Sequence, residues 1–374
     1  MHTVHAFQSK PLSKQVVQCT ACEHWCAVGL DEVGKCQVRM NRNGQLVSLV
    51  YGRAAAAHVD PVEKKPLFHF LPGQSVFSIG TLGCNFHCQF CQNWQISQPG
   101  GAGRRRKVEP SVERGGRSSD IARRLARSGQ HLPPEEIVSI CRARGVPMIA
   151  YTYNEPTVYY EYTFDTARLA VEHGIRNLYV TNGFQTLAAI DSIAPYLHAM
   201  NVDLKGYTEQ FYRATCGGRL EPVLRNIEYV AQKTDIWIEV TTLVVPGMND
   251  SDAELRDIAQ FLASVSRDLP WHISAFHPDY QIRDRPATPR ESLERAYTIG
   301  IESGLRYVYV GNLMDPERAN TYCPQCGEAL IHRMWYEARP VWLEPPNGDV
   351  VDGEEAGLPG ECPECGRVIA GVWR

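Results

Sequence analysis

Residues 76–94 read VFSIGTLGCNFHCQFCQNW. The apolar, partly β-branched opening from Val76 to Thr81 predicts a strand. The loop after it gathers Cys84, Cys88 and Cys91 in a C-x3-C-x2-C spacing. A thiolate site with four cysteines is closed and usually structural, whereas one with fewer protein ligands keeps a position for chemistry. Three cysteines so spaced suit three irons of a [4Fe-4S] cubane and leave the fourth iron without a protein ligand. The competing reading is a zinc site completed by His87 or another residue.

Outward from this stretch, short apolar runs alternate with longer amphipathic ones up to Gly311, the pattern of repeated βα units on a parallel sheet. Strands are expected near Val76–Thr81, Met148–Tyr153, Asn177–Thr181, Ala199–Leu204, Ile236–Val244, His272–Phe276 and Tyr307–Val310. Helices are expected between them, among them Thr157–His173, Gln185–Tyr196, Pro222–Lys233, Asp250–Val265 and Pro289–Ser303. Six or seven such units predict an α/β fold, a partial or full (βα) barrel. Its active site would lie at the carboxyl ends of the strands, where the three-cysteine loop falls.

The chain has 374 residues, 44% hydrophobic and 21% charged, with a formal net charge of −4. That is the composition of a soluble globular protein and speaks against a globally basic nucleic-acid binder. No apolar run of membrane-spanning length and no signal-like start is present, so a cytoplasmic location without a membrane partner is expected. Between residues 99 and 130 the periodicity stops, and nine basic residues from Arg104 to Arg127 accompany few acids. This arginine-rich insertion reads as a solvated loop, with contact to nucleic acid or an acidic partner as the alternative.

The thirteen cysteines fall into groups, as metal or redox chemistry requires, rather than into a disulfide framework. Cys323, Cys326, Cys362 and Cys365 form two CPxCG knuckles that point four thiolates at one zinc, a ribbon too small to build its own core. Cys19, Cys22, Cys26 and Cys36 can close around zinc or an auxiliary Fe-S cluster. The hairpin-like Gly34 and a strand expected at Gln45–Tyr51 weigh toward zinc. Cys141 and Cys216 stand alone as free thiols, and Cys216 can face the substrate. The expected organisation is a Cys-rich N-terminal module over 1–70, a core over 71–315 and a zinc-ribbon-like module over 316–374, with Pro340 to Gly360 a loop between the knuckles.

The three-cysteine loop, with the aromatic Phe90 before its last cysteine, resembles the radical S-adenosylmethionine (SAM) superfamily. The runs EKKPLFHFLPG (63–73), YNEPT (153–157), VDLK (202–205) and VPGMND (245–250) are similar to the radical SAM component of the AmmeMemoRadiSam system, a group related to pyruvate formate-lyase activating enzymes. The resemblance implies a barrel of the radical SAM type in which SAM chelates the open iron of the [4Fe-4S] cluster. An electron from the cluster would break a C–S bond of the sulfonium. The resulting 5′-deoxyadenosyl radical would take hydrogen from a substrate, a small molecule or a partner protein. An electron donor such as flavodoxin or ferredoxin is implied as partner. Activation of a glycyl radical enzyme is one alternative, and a non-catalytic metal protein that binds nucleic acid is another.

The resemblance also implies site residues. Asn154 and Glu155 occupy the place of the family's Gly-Gly-Glu motif, where a carboxylate accepts from the methionine ammonium. Thr181, Asn182 and Gly183 close the third strand near the ligand. Asp203 would accept from ribose hydroxyls and Lys205 would pair with the methionine carboxylate, since residues two apart on a strand share a face. Phe90 would set its backbone against adenine or serve packing. His277, Pro278, Asp279 and Tyr280 would either line the substrate side or form a satisfied loop.

Overall fold

The structure is a computed structural model that describes residues 8–99, 125, 128–341 and 360–374, together with the strand placement of 2–3. The basic residues from Arg104 to Arg127 and most of the loop between the C-terminal knuckles lie outside the described residues.

One eight-stranded sheet dominates. In chain order its strands are β1 (Ala56–Pro61), β2 (Ser75–Gly80), β3 (Met148–Tyr151), β4 (Arg176–Thr181), β5 (Ala199–Asp203), β6 (Trp237–Val244), β7 (Trp271–Ala275) and β8 (Val308–Gly311). Each is hydrogen-bonded to its sequence neighbour. Strands β2 to β8 run parallel, and β1 joins the edge antiparallel to β2. The helices α1 (Pro134–Arg144), α2 (Tyr160–Glu172), α3 (Leu187–Ile193), α4 (Leu220–Lys233), α5 (Asp252–Val265) and α6 (Arg290–Glu302) return the chain between parallel strands. The barrel is therefore partial, with β1 and β8 at its two edges. The expected strands are present within a few residues of their predicted ends. Edge strand β1 was not foreseen and lies on the N-terminal side of position 71. Its Ala-rich stretch carries little β preference of its own, and pairing with β2 from Ala56↔Gly80 to Pro61↔Ser75 holds it.

Alternation along the strands separates two cores. On β3, Ile149 and Tyr151 face the helices, whereas Met148 and Ala150 face the barrel interior. The interior is filled by the run EKKPLFHFLPG, whose Leu67, Phe70 and Leu71 pack on Val76, Met148, Ala150, Leu178 and Ala199. This plug is pinned by barrel side chains that would otherwise be buried polar orphans. Asn201 donates to the Pro66 carbonyl (2.8 Å), and the fully buried Glu239 accepts from the amides of Phe68 (2.9 Å) and His69 (2.8 Å). Glu239 also accepts from Trp237 and from His272 (2.6 Å). Burial alone would raise its carboxyl, but His272 and these donors hold it below the ordinary value.

The C-terminal module is a three-stranded antiparallel sheet, β9 (Thr321–Tyr322), β10 (Ala329–Met334) and β11 (Glu337–Pro340). It docks on the plug and on β8 through Phe68, Tyr309, Leu330 and Ile331. A buried polar chain runs through this contact. His69 joins the Ala370 carbonyl and the Tyr309 hydroxyl (both 2.6 Å), Tyr309 meets Thr321 (2.9 Å), and Arg333 donates to Thr321 and to the Phe68 carbonyl (both 2.7 Å). Burial pushes His69 down to about 4, so it is neutral at pH 7. The N-terminal module pairs short strands at Val16–Cys19 with Ala27–Gly29 and at Arg39–Arg42 with Gln45–Ser48. It is fastened to α2 by the buried ion pair between Arg39 and Glu161 (2.8 Å).

Candidate active site

The thiol loop leaves β2 at its carboxyl end and turns through Gly83, whose φ is +94°. A Cβ there would lie 2.5 Å from Val38 and 2.7 Å from the Cys36 carbonyl, so only glycine lets the N-terminal module sit this close. The loop is held from across the barrel by His87 N–H to the Cys216 carbonyl (2.8 Å) and Gln89 N–H to the Thr215 carbonyl (3.0 Å). Cys84, Cys88 and Cys91 line one cavity of ≈ 240 Å³. His87 does not: its ring turns outward, exposed, to Gln98 (2.8 Å). A zinc site completed by His87 therefore has no geometric basis.

Of the residues expected to hold SAM, Phe90, Asn154, Asn182, Asp203 and Lys205 line the thiol cavity, and Glu155 and Thr181 are not in its wall. Glu155 begins a short 3-10 turn and is fully buried behind that wall. Its Oε1 accepts from the amide (3.1 Å) and hydroxyl (2.5 Å) of Thr157 and from the Thr181 hydroxyl (2.9 Å). Its Oε2 accepts from Thr181 (2.9 Å) and from the Asn182 amide (2.8 Å). Both oxygens that were expected to meet a ligand ammonium are therefore already taken by protein donors. Burial pushes its carboxyl up, and the donors from Thr157, Asn182 and Thr181 oppose that shift.

Asn154 stands at the wall that Glu155 does not reach. Its amide nitrogen donates to the carbonyls of Thr81 (2.7 Å) and Gly83, whereas its Oδ1 is buried without a partner. Tyr153 before it holds φ +74°, an uncommon conformation for a bulky residue, with its carbonyl accepting from Asn93 (2.6 Å). Asp203 and Lys205 pair at 2.8 Å. Burial disfavours the lysine's charge, but Asp203 and the nearby thiols of Cys88 and Cys216 more than offset it and keep its ammonium well above the ordinary value. Asn249 of the VPGMND run fixes this corner by donating to the Lys205 and Leu243 carbonyls (2.8 and 2.9 Å). The 277–280 loop forms a rim: His277 meets Gln92 (3.2 Å) and Tyr280 stacks on Trp94.

Cys216 is fully buried against Cys88 rather than facing substrate. Its hydrogen bond, with help from Lys205, holds the Cys88 thiol below the ordinary range despite burial. Burial and the Cys88 neighbour push Cys216 itself well up. Sequence gave no sign of this pairing beyond the glycines after Cys216. Cys141 is a buried free thiol in α1.

The outer cysteine groups differ in spacing. Cys323 lies 3.6 Å from Cys365 and Cys326 lies 3.5 Å from Cys362, and all four thiols fall within 4.8 Å of one another. Tetrahedral zinc with Zn–S near 2.3 Å demands an S···S edge of about 3.8 Å. Burial works against the charged form, yet the amides of Cys326 and Gln325 bring the Cys323 thiol down to about 7. Cys19, Cys22, Cys26 and Cys36 all line one small void with His24, Arg39 and Asn85. Among the described residues, only the C-terminal set meets the 4.8 Å spacing, so the N-terminal thiols are spread wider.

Three thiols face one cavity at the carboxyl ends of an open parallel barrel, a donor set of the kind that holds a metal or a metal cluster. The model of the radical SAM superfamily matches residues 78–262, and the chain belongs to that superfamily. It is 41% identical over 334 residues to an uncharacterized protein of Methanocaldococcus jannaschii, MJ0808, covering 89% of this chain and 92% of that one. Among solved structures, a domain of the pyruvate-formate lyase-activating enzyme of Bacteroides vulgatus is similar at TM-score 0.39 and 20% identity, over 44% of this chain and 98% of that one. SuiB of Streptococcus suis bound to S-adenosylmethionine is similar at TM-score 0.46 and 11% identity, over 67% of this chain and 53% of that one. Likenesses this distant carry no argument about activity. Superfamily membership supports an enzyme that cleaves SAM by a radical mechanism. Among the described residues no helix is long and apolar enough to cross a membrane.

Proposed function

We propose that Cys84, Cys88 and Cys91 hold a [4Fe-4S] cluster and that the cavity beside them takes SAM at the iron without a protein ligand. The observation that carries this reading is the cavity itself: three thiols, a buried unpartnered acceptor at Asn154 Oδ1 and the Asp203–Lys205 pair line one space. When bound, cluster and SAM supply the chemistry: one electron breaks a sulfonium C–S bond, giving methionine and a 5′-deoxyadenosyl radical that takes a hydrogen atom from the substrate.

The chain's residues bind and orient. Asn154 Oδ1 accepts from the methionine ammonium, while Glu155 acts behind it by fixing the amides of Thr157 and Asn182. Lys205 pairs with the methionine carboxylate, and Asp203 accepts from ribose hydroxyls. Phe90, stacked on Phe211 and beneath the Lys205 ammonium, closes the apolar side. Lys205 and Cys216 stabilise the Cys88 thiolate. An external one-electron donor, a flavodoxin or ferredoxin, supplies the electron.

In this reading Cys323, Cys326, Cys362 and Cys365 hold zinc, and the wider N-terminal group holds a second Fe-S cluster rather than zinc. A cubane attaches its thiolates to separate irons and so spreads them farther than one ion does. Asn85, which follows Cys84, also lines the N-terminal void, and His24 of that module bonds the Asn85 carbonyl (2.8 Å). A cluster there would adjoin the central loop, as electron transfer needs.

Iron and acid-labile sulfide counts on anaerobic protein test these assignments. Replacing Cys84, Cys88 and Cys91 by alanine should remove one cluster's worth of iron and the change in electron paramagnetic resonance on adding SAM. Replacing Cys22 and Cys26 should remove a second cluster. Zinc bound at the N-terminal group would overturn the auxiliary-cluster assignment, and an unchanged iron count in the triple variant would overturn the main one.

A further inference from the structure

Between Cys22 and Cys26 stand Glu23, His24 and Trp25, and each reaches a different neighbour. Glu23 accepts from Arg225 (2.7 Å) and lies 3.6 Å from Arg219. His24 meets the Lys35 ammonium through Nδ1 (3.2 Å) and the Asn85 carbonyl through Nε2 (2.8 Å). The Trp25 indole donates to Glu23 (2.9 Å). Arg219 also lies over the Phe184 ring, which packs on His24. Lys35, Trp25, Arg219 and Arg225 are thereby joined into one face beside the N-terminal thiols, whose void His24 and Lys35 help to line.

Three properties set this face apart. Its sign is opposite to that of the chain, which carries −4 overall. Lys35 is exposed and the Arg219 and Arg225 side chains are 44% and 33% exposed, whereas the one acid that joins them, Glu23, is only 10% exposed, so solvent meets the cations. Trp25 is 40% exposed and holds φ +49°, an uncommon conformation for a bulky residue and one that no core packing repays here. Tryptophan and arginine together are the residues that anchor protein partners. The thiols themselves open this way: Cys19 and Cys36 are buried, while Cys22 and Cys26, on either side of Trp25, are only half-buried. From the same face His24 bonds the carbonyl of Asn85, the residue next to Cys84, so a short path leads inward to the central thiols.

We infer that this face docks the protein that delivers the electron, and that the partner is a small acidic one-electron carrier with carboxylates around its redox centre. Trp25 is the apolar anchor, and Lys35, Arg219 and Arg225 meet the partner's carboxylates. Complementary charge of this kind steers encounter and fixes orientation more than it adds affinity. That suits a carrier that must leave after each electron, and contacts of this type bury less than about 1,200 Å². Nucleic acid fits less well, since a strand is followed by a basic groove along its backbone, whereas these cations gather on one compact face around redox-type ligands. The need for an electron comes from the radical SAM reading and its route from the second cluster at the N-terminal thiols, and the docking rests on both.

Flavodoxin, an acidic FMN protein, is the probe, titrated under nitrogen into the full-length, cluster-loaded protein by calorimetry. Binding should be saturable at about 0.05 M salt and at least about tenfold weaker at about 0.3 M. Lys35→Glu and Trp25→Gly should each weaken it about fivefold or more. Arg267→Glu, the same charge reversal at an exposed position before β7, should bind as the parent does. Lys35→Glu changes an exposed side chain and Trp25→Gly relieves the positive φ, so neither should lower iron content or melting temperature, which separates lost docking from lost folding. A zero-length carbodiimide should join Lys35 to a flavodoxin carboxylate. Iron is counted apart from binding, so zinc at the N-terminal thiols would overturn the second cluster while docking is still scored. Four results would overturn the docking face: no saturable binding, full binding by Lys35→Glu and Trp25→Gly, cross-links on Lys64 or Lys233 in place of Lys35, or tighter binding of a short oligouridylate than of flavodoxin.

Discussion

Replacing Glu155 by glutamine changes one atom of a side chain that is not in the cavity wall, and it should damage both stability and SAM binding. The two oxygens of Glu155 face different backbone donors, Oε1 the Thr157 amide and Oε2 the Asn182 amide. A glutamine must turn its NH2 toward one of them, so either orientation sets a donor against a donor. One buried N–H left without an acceptor costs about 1–3 kcal/mol, and the remaining bonds lose their charge assistance. The relief of not burying a charge offsets part of this. A net loss of roughly 2–4 kcal/mol corresponds to a fall of roughly 5–10 °C in melting temperature for a domain of this size. Asn182 lines the cavity, so SAM affinity, followed by titration calorimetry on the cluster-loaded protein, should fall with it. A variant that melts within about 1 °C of the parent and binds SAM equally well would refute the view of Glu155 as the post behind the wall.

Burial pushes the Glu63 carboxyl up to about 7, so the folded chain holds this proton more tightly than the unfolded one. Its contribution is full at acid pH and lost as pH rises through about 7, amounting to roughly 3 kcal/mol between about pH 4.5 and 8. Denaturant titrations across that range should show the parent losing more stability than Glu63→Gln; parallel curves would contradict it. Arg39→Met should cost about 3–5 kcal/mol by leaving Glu161 as an unpaired buried charge, whereas Arg39→Met with Glu161→Met should cost far less. The double-mutant cycle reads this directly, and additive losses would argue against the ion pair as the fastening of the N-terminal module.

The sequence made the parallel sheet legible because its strands are apolar and β-branched and its helices amphipathic. The cavity was legible where polar residues cluster at a strand's end, as with Asp203, the last residue of β5, and Lys205 just beyond it. What escaped has physical reasons. β1 is alanine-rich and exists only by pairing with β2. The run EKKPLFHFLPG reads as an irregular apolar loop, and only the polar side chains of β5 and β6 fix it as the barrel plug. The inward turn of Glu155 depends on Thr181, twenty-six residues away in sequence, and the contact of Cys216 with Cys88 spans the barrel.

Anaerobic incubation of the cluster-loaded protein with dithionite and SAM, with 5′-deoxyadenosine and methionine measured by chromatography, reads SAM cleavage itself. Both products should form in equal amounts, with none from the variant lacking Cys84, Cys88 and Cys91. An iron-replete, folded protein that leaves SAM intact would contradict the radical SAM reading.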